Sequence, residues 1–298
     1  MAAKRVLLVG DWAHRDFREI VQWLGERTLL VLAASVTDGL AAMTHAAEDE
    51  FGAAGSASAE DDGQPAAGRL IPDVIMVAQS RPGQFSPQQV ERLHAASPLS
   101  RLVALAGSWC EGELRSGRPC AGVIRVVWHQ WQPRLIPFLH PGSAPVPNLW
   151  KLPRTASLDE QLASTVGPLW PRREGLIAIH ADARETFQTL SEACHEGGYA
   201  TVWYPQKQVV AASGVVAALA DGISCDASGL RFLRHVVQLH RPAPVIAVLD
   251  FLRRQDYELA QAEGVGAVLA KPFLVHDLLW HLDNTIALSR PAEGLPTV

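Results

Sequence analysis

Two stretches of the chain carry residue types that could do chemistry. In VLAKPFLVHDLL, residues 268–279, a short apolar run stops at Lys271, and Pro272 follows. A lysine at the mouth of a buried strand is a compact cation suited to holding an anion. The run VVAALAD brings one carboxylate, Asp221, to the end of another apolar stretch. Asp11 in VGDW and Asp182 in IHADAR follow two more such runs. The second stretch is GSWCEGELRSGRPC, residues 107–120, which follows the apolar run RLVALAG. Cys110 within it and His129 in RVVWHQW are a candidate nucleophile and base for covalent catalysis.

These residues need elements to position them. The opening RVLLVGD is a near-continuous apolar run, the pattern of a strand buried on both faces of a parallel sheet. HRDFREIVQWLGE follows with Phe17, Ile20, Val21 and Leu24 at helical spacing. Further strand patterns are LLVLAAS, DVIMVA, RLVALAG and AGVIRVV, and TDGLAAMTHAAEDEF and SPQQVERLHAA read as helices. Ser86 is the N-cap of the latter, with Pro87 at the first helical position. The rhythm restarts at Glu174: strands GLIAIHA, ATVWYP, VVAALAD, PVIAVLDF and GAVLA, with helices over RETFQTLSEACHEGG, SGLRFLRHVVQLH, DYELAQAEG and FLVHDLLWHLDNTIAL. Strands alternating with helices mean doubly wound α/β units. The expected fold is two five-stranded parallel-sheet, flavodoxin-like domains in tandem, at residues 1–141 and 173–298. Between them, the proline-rich 142–172 reads as a linker, with a short helix at 157–163 and Trp150 and Trp170 docked on a domain. Residues 52–68 read as an acidic loop.

Composition excludes several classes. The residues are 48% hydrophobic, enough for a sizeable core. The net charge of −5 argues against a nucleic-acid partner. No apolar run approaches the length needed to span a bilayer, and the start turns polar too early for a signal peptide. The four cysteines form no CxxC pair and read as free thiols in the cytoplasm. Eleven histidines form no zinc signature; the pairs His235/His240 and His276/His281 are five apart and read as solvated helix faces. No glycine-rich phosphate loop follows a strand.

The second half, about residues 174–290, resembles the receiver domain of bacterial response regulators. VVAALADGISCDASGL and GVGAVLAKPF carry the likeness. The resemblance implies that Asp221 is the phosphoacceptor, that Gly229 opens the next helix, and that Lys271 bonds the phosphoryl group beside an often-cis proline. It also implies Mg²⁺ on a pair of acidic residues after the first strand, because positive charge must offset the repulsion between a carboxylate and an electron-rich phosphoryl group. Here His180 and Ala181, or Ala181 and Asp182, take those two places. Leu249 stands at the switch position, where the family needs a hydroxyl. In the first half, similar to the family in element order alone, Asp11 remains as a remnant, Ala78 stands at the phosphoacceptor place and Trp128–His129 at the lysine-proline place.

The expectation is a non-enzymatic two-component signalling protein of tandem pseudo-receiver domains, with Asp221 and Lys271 as a frozen ion pair. It would act by protein–protein interaction, without a cofactor. The resemblance further implies a homodimer or partner face at residues 253–288. Two alternatives stay open. One is an atypical response regulator phosphorylated on Asp221 with Mg²⁺. The other is a small-molecule binder or enzyme using Cys110 and His129. In the plain reading of that loop, Glu111, Glu113, Arg115 and Arg118 pair with each other while Trp109 covers the core.

Overall fold

The computed structural model describes residues 3–44, 70–113, 120, 122–140, 148–156, 160, 164, 173–205 and 212–289. The acidic loop at 52–68, the helix expected at 157–163 (all but Glu160), Arg115, Arg118 and Trp170 lie outside them. The chain divides into two compact units. The first is Met1–Trp128 with Pro153–Ala156; the second is His129–Leu152 with Ser157–Val298. The boundary drawn from the sequence, at 141, falls after a helix that the contacts group with the second unit.

The first unit is a five-stranded parallel sheet in the order β2-β1-β3-β4-β5. Its strands are β1 (Arg5–Gly10), β2 (Leu29–Ala33), β3 (Val74–Gln79), β4 (Arg101–Ala106) and β5 (Ile124–Val127). Every residue of β3 is buried, as its unbroken apolar run requires of a central strand covered on both faces. Leu7, Val9, Ile75 and Val77 pack with Met43 of α2 (Val36–Thr44) and with Val90 and Leu93 of α3 (Pro87–Ala96). Ser86 caps α3 in a reciprocal pair with Gln89. Phe17, Ile20 and Leu24, on and just before α1 (Arg18–Arg27), are also buried.

The second unit repeats the plan in the order β10-β9-β8-β6-β7, all parallel. Its strands are β6 (Leu176–His180), β7 (Ala200–Tyr204), β8 (Val215–Asp221), β9 (Val245–Asp250) and β10 (Ala267–Lys271). Among the described residues no helix joins β7 to β8. One face of the sheet packs Ile177, Ile179, Leu219, Ile246 and Leu269 against Leu190 of α5 (Arg184–Glu196) and Leu278, Leu282 and Ile286 of α8 (Val275–Ser289). α6 (Ala227–His240) and α7 (Arg254–Ala262) complete the described elements of that half.

Before these comes α4 (Trp131–Leu139), which the sequence reading did not expect. Its sequence, WQPRLIPFL, contains two prolines, residues that ordinarily break a helix. Pro133 lies in the first turn, where a missing N–H costs least, but Pro137 is inside the helix. Packing outweighs that local penalty, because Trp131, Pro133, Leu135, Pro137 and Leu139 are all buried. α4 packs on α8, which is why α8 is buried at every residue from His276 to Leu282 rather than along one stripe.

Candidate functional site

The carboxyl edge of the second sheet is the place where doubly wound folds bind ligands. Parallel register sets Asp221 of β8 beside Val248 of β9, and Asp250 of β9 beside Lys271 of β10. Lys271 Nζ lies 2.5 Å from Asp221 Oδ1 and 3.1 Å from Asp250 Oδ1. Asp221 is buried, whereas Asp250 is largely open to solvent. Burial lowers the Lys271 pKa, but hydrogen bonds and charge from Asp221, then from Asp250, outweigh it and hold the ammonium above its ordinary value. The lysine is thus locked in its charged form between two carboxylates. The Lys271–Pro272 bond is cis.

The end of β6 carries no pair of adjacent carboxylates. His180 ends β6 at 0% exposure and turns to His240 of α6, Nε2 to Nε2 at 2.8 Å, with Tyr204 stacked on its ring. Burial, then the His240 and His235 charges, push the His180 pKa down to about 4, so it is a neutral core group. Ala181 is buried and offers no ligand; Asp182 is exposed in the bend beyond it. Among the described residues no group of three or more His, Cys, Asp or Glu side chains could hold a metal ion. Leu249, at the switch position, is buried.

Asp250, which the sequence places next to Leu249 as an anion that would repel a phosphoryl group, ends β9. Phe251, not singled out from the sequence, follows it at φ 47°, a left-handed conformation unusual for an aromatic residue, and is 85% exposed.

At the same edge of the first unit, β3 ends at Gln79, one residue past Ala78. The Gln79 amide donates to Glu113 Oε1 at 2.9 Å, and neither an alanine nor a glutamine can attack phosphorus. Asp11 is half-buried in the turn after β1. The described part of the GSWCEGELRSGRPC loop, residues 107–113, is held from β5 and the residue after it. Glu113 pairs with Arg125 at 2.6 Å, Arg125 also donates to the Cys110 carbonyl, and the Trp128 indole donates to Glu111 at 2.9 Å. Trp109 does not cover the core; it is 76% exposed, and Trp128 is buried instead. Asp16, missed from the sequence because it sits inside a helical pattern, is buried and accepts the Ser108 N–H at 2.8 Å, pinning this loop to the turn after β1.

Cys110 and His129 fall in different compact units. The Cys110 thiol donates to the Gln79 carbonyl at 3.4 Å, and burial, then the Glu113 charge, raise its pKa to about 11. Burial, then Arg134, lower the His129 pKa to about 4, far from that of a working base. A rise from the ordinary 9.0 to about 11 cuts the thiolate fraction about 100-fold. Cys110 in the folded protein should therefore alkylate at least about 100-fold more slowly than a free thiol in pH 8 iodoacetamide labelling read by mass spectrometry. Labelling at the free-thiol rate would restore it as a nucleophile.

The histidines expected on solvated helix faces are mostly interior. His240, His276 and His281 are buried, and His235 is exposed.

No family model matches the chain, and no curated protein matches it. Solved response-regulator structures are similar to part of it. A response regulator receiver domain protein from Clostridium thermocellum is 18% identical over 38% of this chain and 95% of its own, with a TM-score of 0.35. A response regulator from Thermotoga maritima is 14% identical over 39% of this chain and 99% of its own, at 0.33. A Francisella response regulator receiver domain is 15% identical over 39% and 99%, at 0.35. Two parallel five-stranded sheets, each with the first strand between the second and third, define the class: two doubly wound, flavodoxin-like α/β units. Among the described residues no helix is long and apolar enough to cross a membrane.

Proposed function

We propose that this chain is a signalling protein of the response-regulator type that works by binding a protein partner rather than by phosphoryl transfer. The observation that carries the reading is the placement of Lys271 between Asp221 and Asp250. A phosphoryl group on Asp221 would need that ammonium, and it would meet the Asp250 carboxylate already on it. The repulsion has no divalent cation to offset it, since His180 and Ala181 replace the acidic pair. In this reading Asp221 and Lys271 hold the ends of β8 and β10 together, and the cytoplasm is the compartment for such a protein.

In this reading the partner uses the accessible parts of residues 253–288. α4 of the same unit packs on α8, which is buried from His276 to Leu282, so those parts are α7 and the end of α8, where Leu288 is exposed; exposed Phe251 lies just before the range. A homodimer through α8 in this arrangement would require α4 to move.

Intact-mass measurement after incubation with acetyl phosphate and Mg²⁺, beside Asp221→Ala, tests the reading. The expected result is no phosphoryl adduct in either protein. An adduct lost in Asp221→Ala would overturn it in favour of a phosphoacceptor with an unusual cation site.

A further inference from the structure

Among the described residues only two aromatic side chains are strongly exposed, Trp109 at 76% and Phe251 at 85%. Each follows the fourth strand of its own sheet, β4 in the first unit and β9 in the second. The same place in the repeat thus carries an exposed aromatic twice.

Phe251 is held where it is by its neighbours. Its φ of 47° is a conformation that side chains other than glycine, asparagine and aspartate rarely adopt. On one side Asp250 reaches Lys271 at 3.1 Å. On the other, Leu252 is buried at 3% exposure and the Arg253 N–H donates to Asp256 Oδ2 at 3.3 Å. A ring presented by two fixed neighbours loses little freedom when something binds it.

The surroundings are acidic. Asp250 keeps 56% of its side-chain surface exposed. Asp226 and Asp256, at the starts of α6 and α7, come together at Cys225, whose thiol donates to the Asp256 carbonyl at 3.8 Å and feels the charge of both carboxylates. Asp226 is exposed, and bonds from the Ser228 hydroxyl, the Gly229 N–H and the Ser224 hydroxyl hold its carboxyl well below the ordinary range, so it is charged. Helix N-termini favour anions, but these two are already occupied. Asp226 accepts the Ser228 and Gly229 N–H groups, and Asp256 accepts the Arg253 N–H. Of the cations nearby, Lys271 lies between Asp221 and Asp250, and Arg254 pairs with Glu258 at 2.8 Å while lying over Tyr257. Arg253 is exposed. Among the described residues, carboxylates therefore outnumber cations at this edge.

We propose that the rim around Phe251 docks an arginine-bearing segment of a protein partner, with a guanidinium lying on the Phe251 ring and bonded to Asp250. The proposal rests on the protein-binding reading above and gives that partner a chemistry. Arginine fits better than lysine, because its plane stacks on an aromatic face while its fork meets a carboxylate, and it is less strongly hydrated. An acidic segment would be repelled by Asp226, Asp250 and Asp256, and an apolar one would desolvate them without a partner.

The probe is an acetylated and amidated peptide of alternating arginine and glycine, with lysine–glycine and glutamate–glycine peptides for comparison. Amide NMR of the isotope-labelled full chain reads the binding. Shifts on adding the arginine peptide should fall in residues 222–226, 250–256 and 271, with a Kd on the order of 1 mM. The lysine peptide should bind more weakly, and Phe251→Ala should weaken the arginine peptide by at least about threefold. Phe251 is exposed, so the alanine variant should keep the fold, which its remaining amide shifts report. No shifts at this edge, an equal response to the lysine or glutamate peptide, or unchanged affinity in Phe251→Ala would each overturn the proposal. So would shifts at the same residues on raising the protein concentration alone, which would assign the surface to a second copy of the chain. The two readings fail separately. A phosphoryl adduct on Asp221 would sink the protein-binding reading whatever the peptide does, whereas no adduct and no peptide shifts would sink the docking surface alone.

Discussion

Asp277→Ala is expected to destabilise the second unit by about 3–5 kcal/mol, the range for breaking one side of a buried ion pair. Asp277 has 0% side-chain exposure and Arg134 19%. The substitution leaves the guanidinium against α8 with no counter-charge. It also removes the acceptor for the Leu274 N–H, 3.1 Å from Asp277 Oδ2, and so uncaps the first turn of α8. Asp277→Asn keeps that acceptor and the side-chain volume, and should cost less. Removing both charges with apolar residues of similar size, Arg134→Met with Asp277→Leu, should recover much of the loss, because the buried pair is costly to desolvate. Urea unfolding, followed through probes in each unit because two units need not unfold together, measures all three. A loss under about 0.5 kcal/mol for Asp277→Ala would mean that α4 does not hold Arg134 against α8.

The sheets were legible because parallel strands covered on both faces must be apolar along their length, and VVAALAD, VIAVLD and AVLAK are apolar up to one charged residue at the end. Those last residues place Asp221 and Lys271 at one edge of the sheet from the sequence alone. What failed to show was anything whose local pattern contradicts its packing. α4 carries two prolines, and it forms because five of its nine residues find buried places. α8 read as a stripe of Leu274, Leu278, Leu282 and Ile286; periodicity reports one covered face and cannot report a second. That blind spot also put His276 and His281 in solvent.

Side-chain partners were harder still. Glu113 was expected to pair within its loop, but its partners are Gln79 and Arg125, which come from different strands. Sequence spacing sets which residues share a helix face. It does not set which strand end a loop side chain meets, because that depends on register between segments far apart in the chain. Asp250 is the instructive case: it looked like a repelling neighbour of an anion site, and in the folded unit it is a second anion already on the lysine.

Gly229→Ala should be among the most damaging single-methyl changes in the chain. A Cβ at Gly229 would lie 1.9 Å from the Ser224 carbonyl oxygen and 2.7 Å from its hydroxyl. The obstacle is mainly backbone, so no rotamer change relieves it. Gly229 is in the first turn of α6, and its N–H donates to Asp226 Oδ1 at 2.9 Å, as does the Ser228 N–H at 2.8 Å. Those bonds, with the Ser224 and Ser228 hydroxyls, hold the Asp226 carboxyl well below its ordinary range. A shift of the Ser224 turn would therefore disturb the cap of α6 as well. Overpacking of this kind costs about 1–3 kcal/mol, and a clash with backbone belongs at the upper end or beyond. In a unit of this size each kcal/mol lowers the midpoint by about 2–4 °C. Thermal unfolding should show a drop of at least about 6 °C for the second unit, with the first unit unchanged. Gly25→Ala is the control: an added methyl there meets nothing within 4 Å, and alanine is the better helix former by about 1 kcal/mol. If Gly229→Ala unfolded at the wild-type temperature, the turn from Ser224 to Gly229 would have to be looser than its contacts indicate. The glycine that opens α6 would then be free of the steric constraint assigned to it.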